Sequence, residues 1–250
     1  MRDRNSGGRL ESDGVTVVMS VYNEAPLVGR AVAEVVTICR SLGRPFQVWI
    51  VDDGSSDWTE ALEQELMSDP NVVIRHNAPN RGKGAVMNEV FPLLKTPWTV
   101  VIDADREYPA HDIPAVLAPL IQGRADWVFG ARYGFGRKRP RQYLATYLAN
   151  QVFSATFSAL SRMRFRDVLT GLFAFRTAMA AGIRLEQERF SYTPELLWKV
   201  HHRHHPRWLD VPIGYRFRTY KEGKKIHWWE TFTVLFAIVR YRFTATHGAT

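Results

Sequence analysis

Trp98-Thr99-Val100-Val101-Ile102-Asp103-Ala104-Asp105 is an apolar, β-branched run that stops on two carboxylates one residue apart. So short a run between polar and proline-containing flanks reads as a buried strand with the acids at its carboxyl end. The pattern recurs upstream. Phe46 to Val51 runs into Asp52-Asp53-Gly54-Ser55-Ser56-Asp57, and Val15 to Val21 into Tyr22-Asn23-Glu24, with shorter runs at Val72 to Ile74 and Trp127 to Phe129. Between the first two strands Leu27, Ala31, Val32, Val35, Cys39 and Leu42 recur at helical spacing behind Pro26, which suits a first helical turn. Further helices are expected at Asp57 to Met67, Lys83 to Leu94 and Asp112 to Gln122. Strand and helix thus alternate through residue 130, which predicts an open, mostly parallel α/β sheet with ligands at the strands' carboxyl ends.

Beyond residue 130 the rhythm changes. Gly134-Phe135-Gly136-Arg137-Lys138-Arg139-Pro140-Arg141 reads as a basic, flexible loop. A long helix should follow, its aromatic stripe of Tyr143, Tyr147, Phe153, Phe157 and Leu160 facing the core. Leu172 to Phe175 and Trp208 to Tyr215 look like strands, with a helix from Pro194 to about His202 between them. His227 to Phe243 reads as an aromatic amphipathic helix flanked by Lys224, Lys225, Arg240 and Arg242. Residues 1–14 mix charges with Gly and Ser and are expected to form a loose tail, neither signal peptide nor anchor. The expected organisation is therefore a tail (1–14), a main α/β unit (15–225, split into halves at 130) and a terminal amphipathic helix (226–250).

Composition excludes several classes. With 46% hydrophobic and 23% charged residues in 250, wholesale disorder and fibrous repeats are ruled out. One cysteine, Cys39, excludes an internal disulfide framework and suggests a reducing, cytoplasmic setting. No apolar run approaches the ~18 residues of a membrane span. Residues 1–130 carry 12 Lys/Arg against 18 Asp/Glu, whereas 131–250 carry 21 against 7. An acidic half suits a divalent cation; a basic half suits phosphates or an anionic membrane surface. A pI near 9.8 raises nucleic-acid binding as an alternative, which the acidic half and the strand-end carboxylates oppose.

Chemistry concentrates at the strand ends. Carboxylates at i and i+2, Asp103 and Asp105, can share one hard cation and leave sites for diphosphate oxygens, with Glu107 as a possible third oxygen. Asp53 can accept from a base N–H or a ribose hydroxyl, while Ser56 and Asp57 suit a helix cap. Tyr22 offers a ring for stacking. Asn80-Arg81-Gly82-Lys83-Gly84 is a Gly-rich basic turn suited to a phosphate, without the spacing of a P-loop. No G-x-G-x-x-G follows the first strand, which counts against a dinucleotide oxidoreductase. His201-His202-Arg203-His204-His205 reads as a solvated basic helix end rather than a zinc site, because consecutive histidines point in several directions.

Seven segments in order carry a resemblance: Val21-Tyr22-Asn23-Glu24, Val51-Asp52-Asp53-Gly54-Ser55, Asn80-Arg81-Gly82-Lys83-Gly84, Asp103-Ala104-Asp105, Gly130-Ala131-Arg132-Tyr133, Asp167-Val168-Leu169-Thr170-Gly171 and Arg218-Thr219-Tyr220-Lys221-Glu222-Gly223-Lys224-Lys225. The chain resembles the family-2 inverting glycosyltransferases of the GT-A fold, in the branch of dolichol-phosphate mannose synthases and polyprenyl-phosphate glycosyltransferases. The resemblance implies a Rossmann-like mixed sheet flanked by helices, and transfer of a sugar from GDP-mannose or a UDP-hexose to a polyprenyl or dolichyl phosphate. It implies that Tyr22, Glu24, Asp52, Asp53, Lys83, Asp103 and Ala104 bind the nucleotide sugar. By the same resemblance Asp103, Asp105 and Glu107 hold Mg²⁺ or Mn²⁺, and Asp105, Arg132 and Asp167 carry catalysis. Arg132, Arg139, Arg141, Lys224 and Lys225 would meet the acceptor phosphate. Where relatives more often place an acid before the proline, this chain has Thr193-Pro194, and Glu195 still aligns. A saccharide hydroxyl is the alternative acceptor and would need a base such as Asp167. Peripheral attachment to the cytoplasmic face of a membrane completes the expectation.

Overall fold

In the computed structural model, which describes residues 4–133, 144–189, 191–218 and 230–244, every expected strand forms and all join one sheet. The strands are β1 (Val15–Val21), β2 (Phe46–Asp53), β3 (Val72–Asn77), β4 (Trp98–Val101), β5 (Trp127–Ala131), β6 (Phe173–Arg176) and β7 (Trp208–Pro212). Their order is β3-β2-β1-β4-β6-β5-β7. The first four run parallel, as the alternation with helices requires. β6 is antiparallel to both β4 and β5, so the sheet is mixed rather than mostly parallel in its second half.

Register decides where the acids meet. Val21 pairs with Asp52 and Asp53 with Asn77, while Val18 pairs with Val101. Thus β1, β2 and β4 end together, and Tyr22, Asp52, Asp53 and Asp103 share one edge of the sheet.

Alternate strand residues feed two cores, because successive side chains leave a strand on opposite faces. On one face Val15, Val17 and Met19 pack against α2 (Ala25–Ser41) and α5 (Ile113–Ile121). On the other, Val18, Val51 and Val101 meet α4 (Lys83–Val90), α6 (Leu144–Ser161), α7 (Tyr192–His204) and α8 (Glu230–Thr244). The second core is aromatic: Trp127 stacks on Phe175 with centroids 4.4 Å apart, and Phe157 lies 4.7 Å from Trp198. Tyr147, Phe153 and Phe157 of α6 are buried, in line with the core reading of that stripe; Tyr143 lies outside the described residues.

Three local expectations change. The supposed loose tail carries a helix, α1 (Arg4–Asp13), followed by Gly14, whose N–H donates to Leu10 O, while Asp13 pairs with Arg44. The third helix, α3 (Glu60–Met67), starts later than expected and is capped by Thr59, whose hydroxyl accepts from Leu62 N–H at 3.2 Å. Asp57 instead accepts from Ala25 N–H at 3.0 Å, satisfying the first turn of α2 from another loop. The His-rich end of α7 is solvated only in part: Arg203 and His205 are exposed, whereas His201, His202 and His204 are half-buried, with His202 stacked on Trp198 at 5.5 Å.

Candidate active site

The strand β4 delivers Asp103 and Asp105 into a turn that Arg106 completes with a left-handed φ of 61°. Asp105 Oδ1 accepts from Glu107 N–H at 2.9 Å, which holds the turn closed. Asp103 Oδ1 takes an ion pair from Lys83. A side chain at Gly171 would overlap Asp103, so that glycine admits the carboxylate. Burial, with the charges of Asp103 and Glu107 close by, pushes the Asp105 carboxyl up to about 7. Burial works against the Lys83 ammonium, yet Asp103 holds its pKa above the ordinary lysine value.

Glu107 does not complete a carboxylate triad. Tyr215 Oη donates to its Oε2, and Arg218 N–H donates to Oε1 at 3.0 Å, so the side chain is turned toward the 215–218 segment. Among the described residues no cluster of three His, Cys, Asp or Glu side chains could hold a metal. Asp103 and Asp105 remain as the donor set. Two carboxylates with room for phosphate oxygens and water match how Mg²⁺ and Mn²⁺ are held beside nucleotides, so the residues present fit such an ion.

Arg218 is the residue that sequence reasoning left inside a motif without a role. Its Nη1 donates to Glu24 Oε1 at 3.0 Å and lies 3.9 Å from Asp105 Oδ2. It thereby ties the end of β1 to the turn after β4 across the sheet edge. Only its membership of the last quoted motif could have signalled this.

Asp52 and Asp53 are both buried and both engaged. Asp52 accepts from Ser55 N–H at 3.1 Å and pairs with His76 at 3.2 Å. Asp53 takes four donors: Asn77 Nδ2 at 3.5 Å, Asn80 Nδ2 at 3.0 Å, Arg81 N–H at 3.3 Å and Gly82 N–H at 2.6 Å. Its carboxylate therefore organises the 77–82 turn. Tyr22 stands at the end of β1 and is 41% exposed. The methyl of Ala104 is buried in the core, so only its backbone is left for a ligand.

Gly82 and Gly84 meet protein rather than an open phosphate cradle. A Cβ on either would overlap the backbone carbonyls of Glu188 and Gln187, and Gly84 N–H donates to Glu188 O at 2.7 Å. This strap, residues 186–189, is held by Glu195, whose buried carboxylate accepts from the N–H groups of Glu186 and Gln187, each at 2.7 Å. Lys199 Nζ donates to the same carboxylate at 2.6 Å.

Arg132 and Asp167 form a buried bidentate pair, Nε to Oδ2 and Nη2 to Oδ1, both at 2.8 Å. Arg132 Nη2 also donates to Leu169 O at 3.1 Å, and the guanidinium lies 5.1 to 5.9 Å from the rings of Tyr108, Tyr133 and Tyr215. Asp167 has no exposed surface, and Arg132 occupies both its oxygens. This corrects the expectation of a base at Asp167: an acceptor hydroxyl has no access to it. Arg139, Arg141, Lys224 and Lys225 lie outside the described residues.

Comparison with known proteins follows the same lines. The family described as Glycosyl transferase family 2 matches residues 16–190, most of the chain. The chain belongs to glycosyl transferase family 2. Within that family it is 29% identical over 185 residues to glycosyltransferase AglJ of Haloferax volcanii, covering 74% of this chain and 57% of that protein. It is 25% identical to a dolichol-phosphate mannosyltransferase of Pyrococcus furiosus, covering 84% and 58%. An undecaprenyl-phosphate 4-deoxy-4-formamido-L-arabinose transferase of Pectobacterium carotovorum shares 32% identity, over 44% of this chain and 34% of the other. The chain thus spans between about a third and three fifths of these relatives. Among solved structures, glucosyl-3-phosphoglycerate synthase from Mycobacterium tuberculosis in complex with UDP superposes with a TM-score of 0.68 at 17% identity, covering 95% of this chain and 83% of that one. The sheet order and this likeness identify the fold as GT-A.

Proposed function

We propose that this protein transfers a sugar from a nucleotide-sugar donor to a polyprenyl phosphate, with inversion at the anomeric carbon. The observation that carries the reading is the pair Asp103 and Asp105 at the end of β4, flanked by Lys83 and Arg218, with the neighbouring carboxylates Asp53, Glu107 and Asp167 all saturated by internal donors. A saccharide hydroxyl must lose a proton as it attacks and needs an accessible base. A lipid monophosphate has a second pKa of about 6 and is already largely ionised at neutral pH. It needs cations and alignment instead, which suits the basic second half of the chain.

In this reading Tyr22 stacks on the base and Lys83 and Arg218 sit beside the diphosphate. Asp103 and Asp105 hold a divalent cation, which when bound neutralises the charge growing on the departing diphosphate. Arg132, fixed by Asp167 and three tyrosine rings, is a positioning residue that keeps the 167–171 turn against Asp103. The candidate donors are GDP-mannose and the UDP-hexoses. Relatives named as dolichol-phosphate and undecaprenyl-phosphate transferases support the acceptor class.

The test incubates the protein with labelled nucleotide sugars, polyprenyl phosphate and Mg²⁺ or Mn²⁺, and counts label in the organic phase. The expected result is cation-dependent transfer that Asp105→Ala abolishes. Label that stays in water with a saccharide acceptor, or full activity of Asp105→Ala, overturns the reading.

A further inference from the structure

Lys83 is aimed by its neighbours. Gly82 N–H is fixed on Asp53 Oδ2 at 2.6 Å, and Gly84 N–H on Glu188 O at 2.7 Å, so the backbone on both sides of the lysine is pinned. Its ammonium ends on Asp103 Oδ1, with the two side chains only 22% and 31% exposed. On the far side of Asp103 the chain closes in at Gly171. The second carboxylate is constrained too: Asp105 Oδ1 accepts from Glu107 N–H at 2.9 Å, and Arg218 stands 3.9 Å from Oδ2.

The carboxylates assigned to a divalent cation therefore already have fixed positive groups against them. A bare cation entering the pair must displace the Lys83 ammonium from Asp103 and then sit beside it, a like-charge contact in a partly desolvated place. The displaced ammonium requires another anion within reach of its pinned backbone. A nucleoside diphosphate held against the same cation is such an anion.

We infer that Lys83 is a built-in counter-ion that makes divalent-cation binding at Asp103 and Asp105 conditional on a nucleoside diphosphate. The inference rests on the nucleotide-sugar reading above and adds order to it: the cation binds with or after the nucleotide. Because coupling is reciprocal, the cation tightens nucleotide binding by the same factor.

The experiment follows free Mn²⁺ by its electron paramagnetic resonance signal, titrating wild type, Lys83→Met and Lys83→Arg, alone and with UDP or with GDP. Wild type and Lys83→Arg are expected to bind Mn²⁺ weakly alone and at least about tenfold more tightly with one of the two nucleotides, within the usual range of coupling. Lys83→Met is expected to bind Mn²⁺ alone about tenfold more tightly than wild type, with the nucleotide effect mostly lost. Lys83→Gln, which keeps a donor for Asp103 without the charge, is measured in parallel and substitutes for the methionine variant if that one does not fold. Nucleotide-dependent Mn²⁺ binding that is the same in wild type and in the neutral variants leaves the donor site standing and overturns the counter-ion role. Absence of Mn²⁺ binding in every protein with either nucleotide overturns both.

Discussion

Asp53 was expected to recognise a nucleoside, and its surroundings assign it a prior task. Four donors from residues 77–82 converge on one carboxylate that is 3% exposed. Asp53→Ala would take the carboxylate acceptor from the part-buried N–H groups of Arg81 and Gly82, at about 1–3 kcal/mol in all. The melting temperature and the nucleotide affinity are therefore expected to fall together. Weakened nucleotide binding at an unchanged melting temperature would instead show a direct contact with the base or ribose. Asp210 on β7 is a half-buried acid, held by Arg166 N–H at 2.8 Å and pushed up to about 6 by desolvation, with Asp167 nearby. Its folded pKa lies above the unfolded value, so ionisation opposes folding. That cost is absent below about pH 4, grows between about 4 and 6, and is complete above. Asp210→Asn keeps an acceptor for Arg166 and should stabilise by about 1–3 kcal/mol at pH 7 but by little at pH 4. Thermal melts at the two pH values check this, and an equal gain at both would refute it.

At the scale of elements, glycines separate two kinds of constraint. Gly29 lies inside α2, where a Cβ meets nothing closer than Glu65 Oε1 at 3.6 Å, so Gly29→Ala should stabilise by roughly 0.5–1 kcal/mol. Gly84, the second residue of α4, has the strap carbonyl of Gln187 on its Cα, and Gly84→Ala should destabilise by about 1–3 kcal/mol or more. Opposite shifts in melting temperature are expected; a neutral Gly84→Ala would mean that the strap does not rest there. The same contrast explains what the sequence could disclose. Strands and the Asp103/Asp105 turn were legible because each is a local pattern, an apolar run ended by acids. The glycines beside Lys83 were read as a phosphate turn because nothing local announces that residues 186–189 lie over them. Arg218 reaches Glu24 across 194 residues of chain, and Asp57 caps a helix that precedes it, pairings only tertiary structure creates. Glu107 and Asp167 had the right chemistry for a ligand and a base, but their partners, Tyr215 and Arg132, were invisible as partners.

At the scale of the whole molecule, the polyprenyl-phosphate acceptor proposed above calls for an apolar face, and α8 offers one. Its Val234, Ala237, Ile238 and Tyr241 are buried in the aromatic core, which is why the helix sits where it does. The opposite face carries Phe236, Val239 and Phe243, exposed at 65%, 44% and 68% and spaced as one helical stripe. On α6, Leu148 and Val152 are each 52% exposed. Clustered large apolar side chains left this exposed mark interaction surfaces, and the half of the chain that carries them has three times as many cationic as anionic residues. An anionic leaflet would complement both properties, and at about 1 kcal/mol for each nearby Lys or Arg the attachment would be reversible. Among the described residues no helix is long and apolar enough to cross a membrane. The protein is therefore expected to co-sediment with anionic vesicles at low salt and to be released as salt rises. Phe236→Asp with Phe243→Asp should abolish the binding without unfolding the protein, since both rings are mostly exposed, and Lys224→Glu with Lys225→Glu should weaken it. A wild-type protein that stays in the supernatant at low salt would leave α8 as a packing helix only and would send the search for the acceptor back to water-borne phosphates.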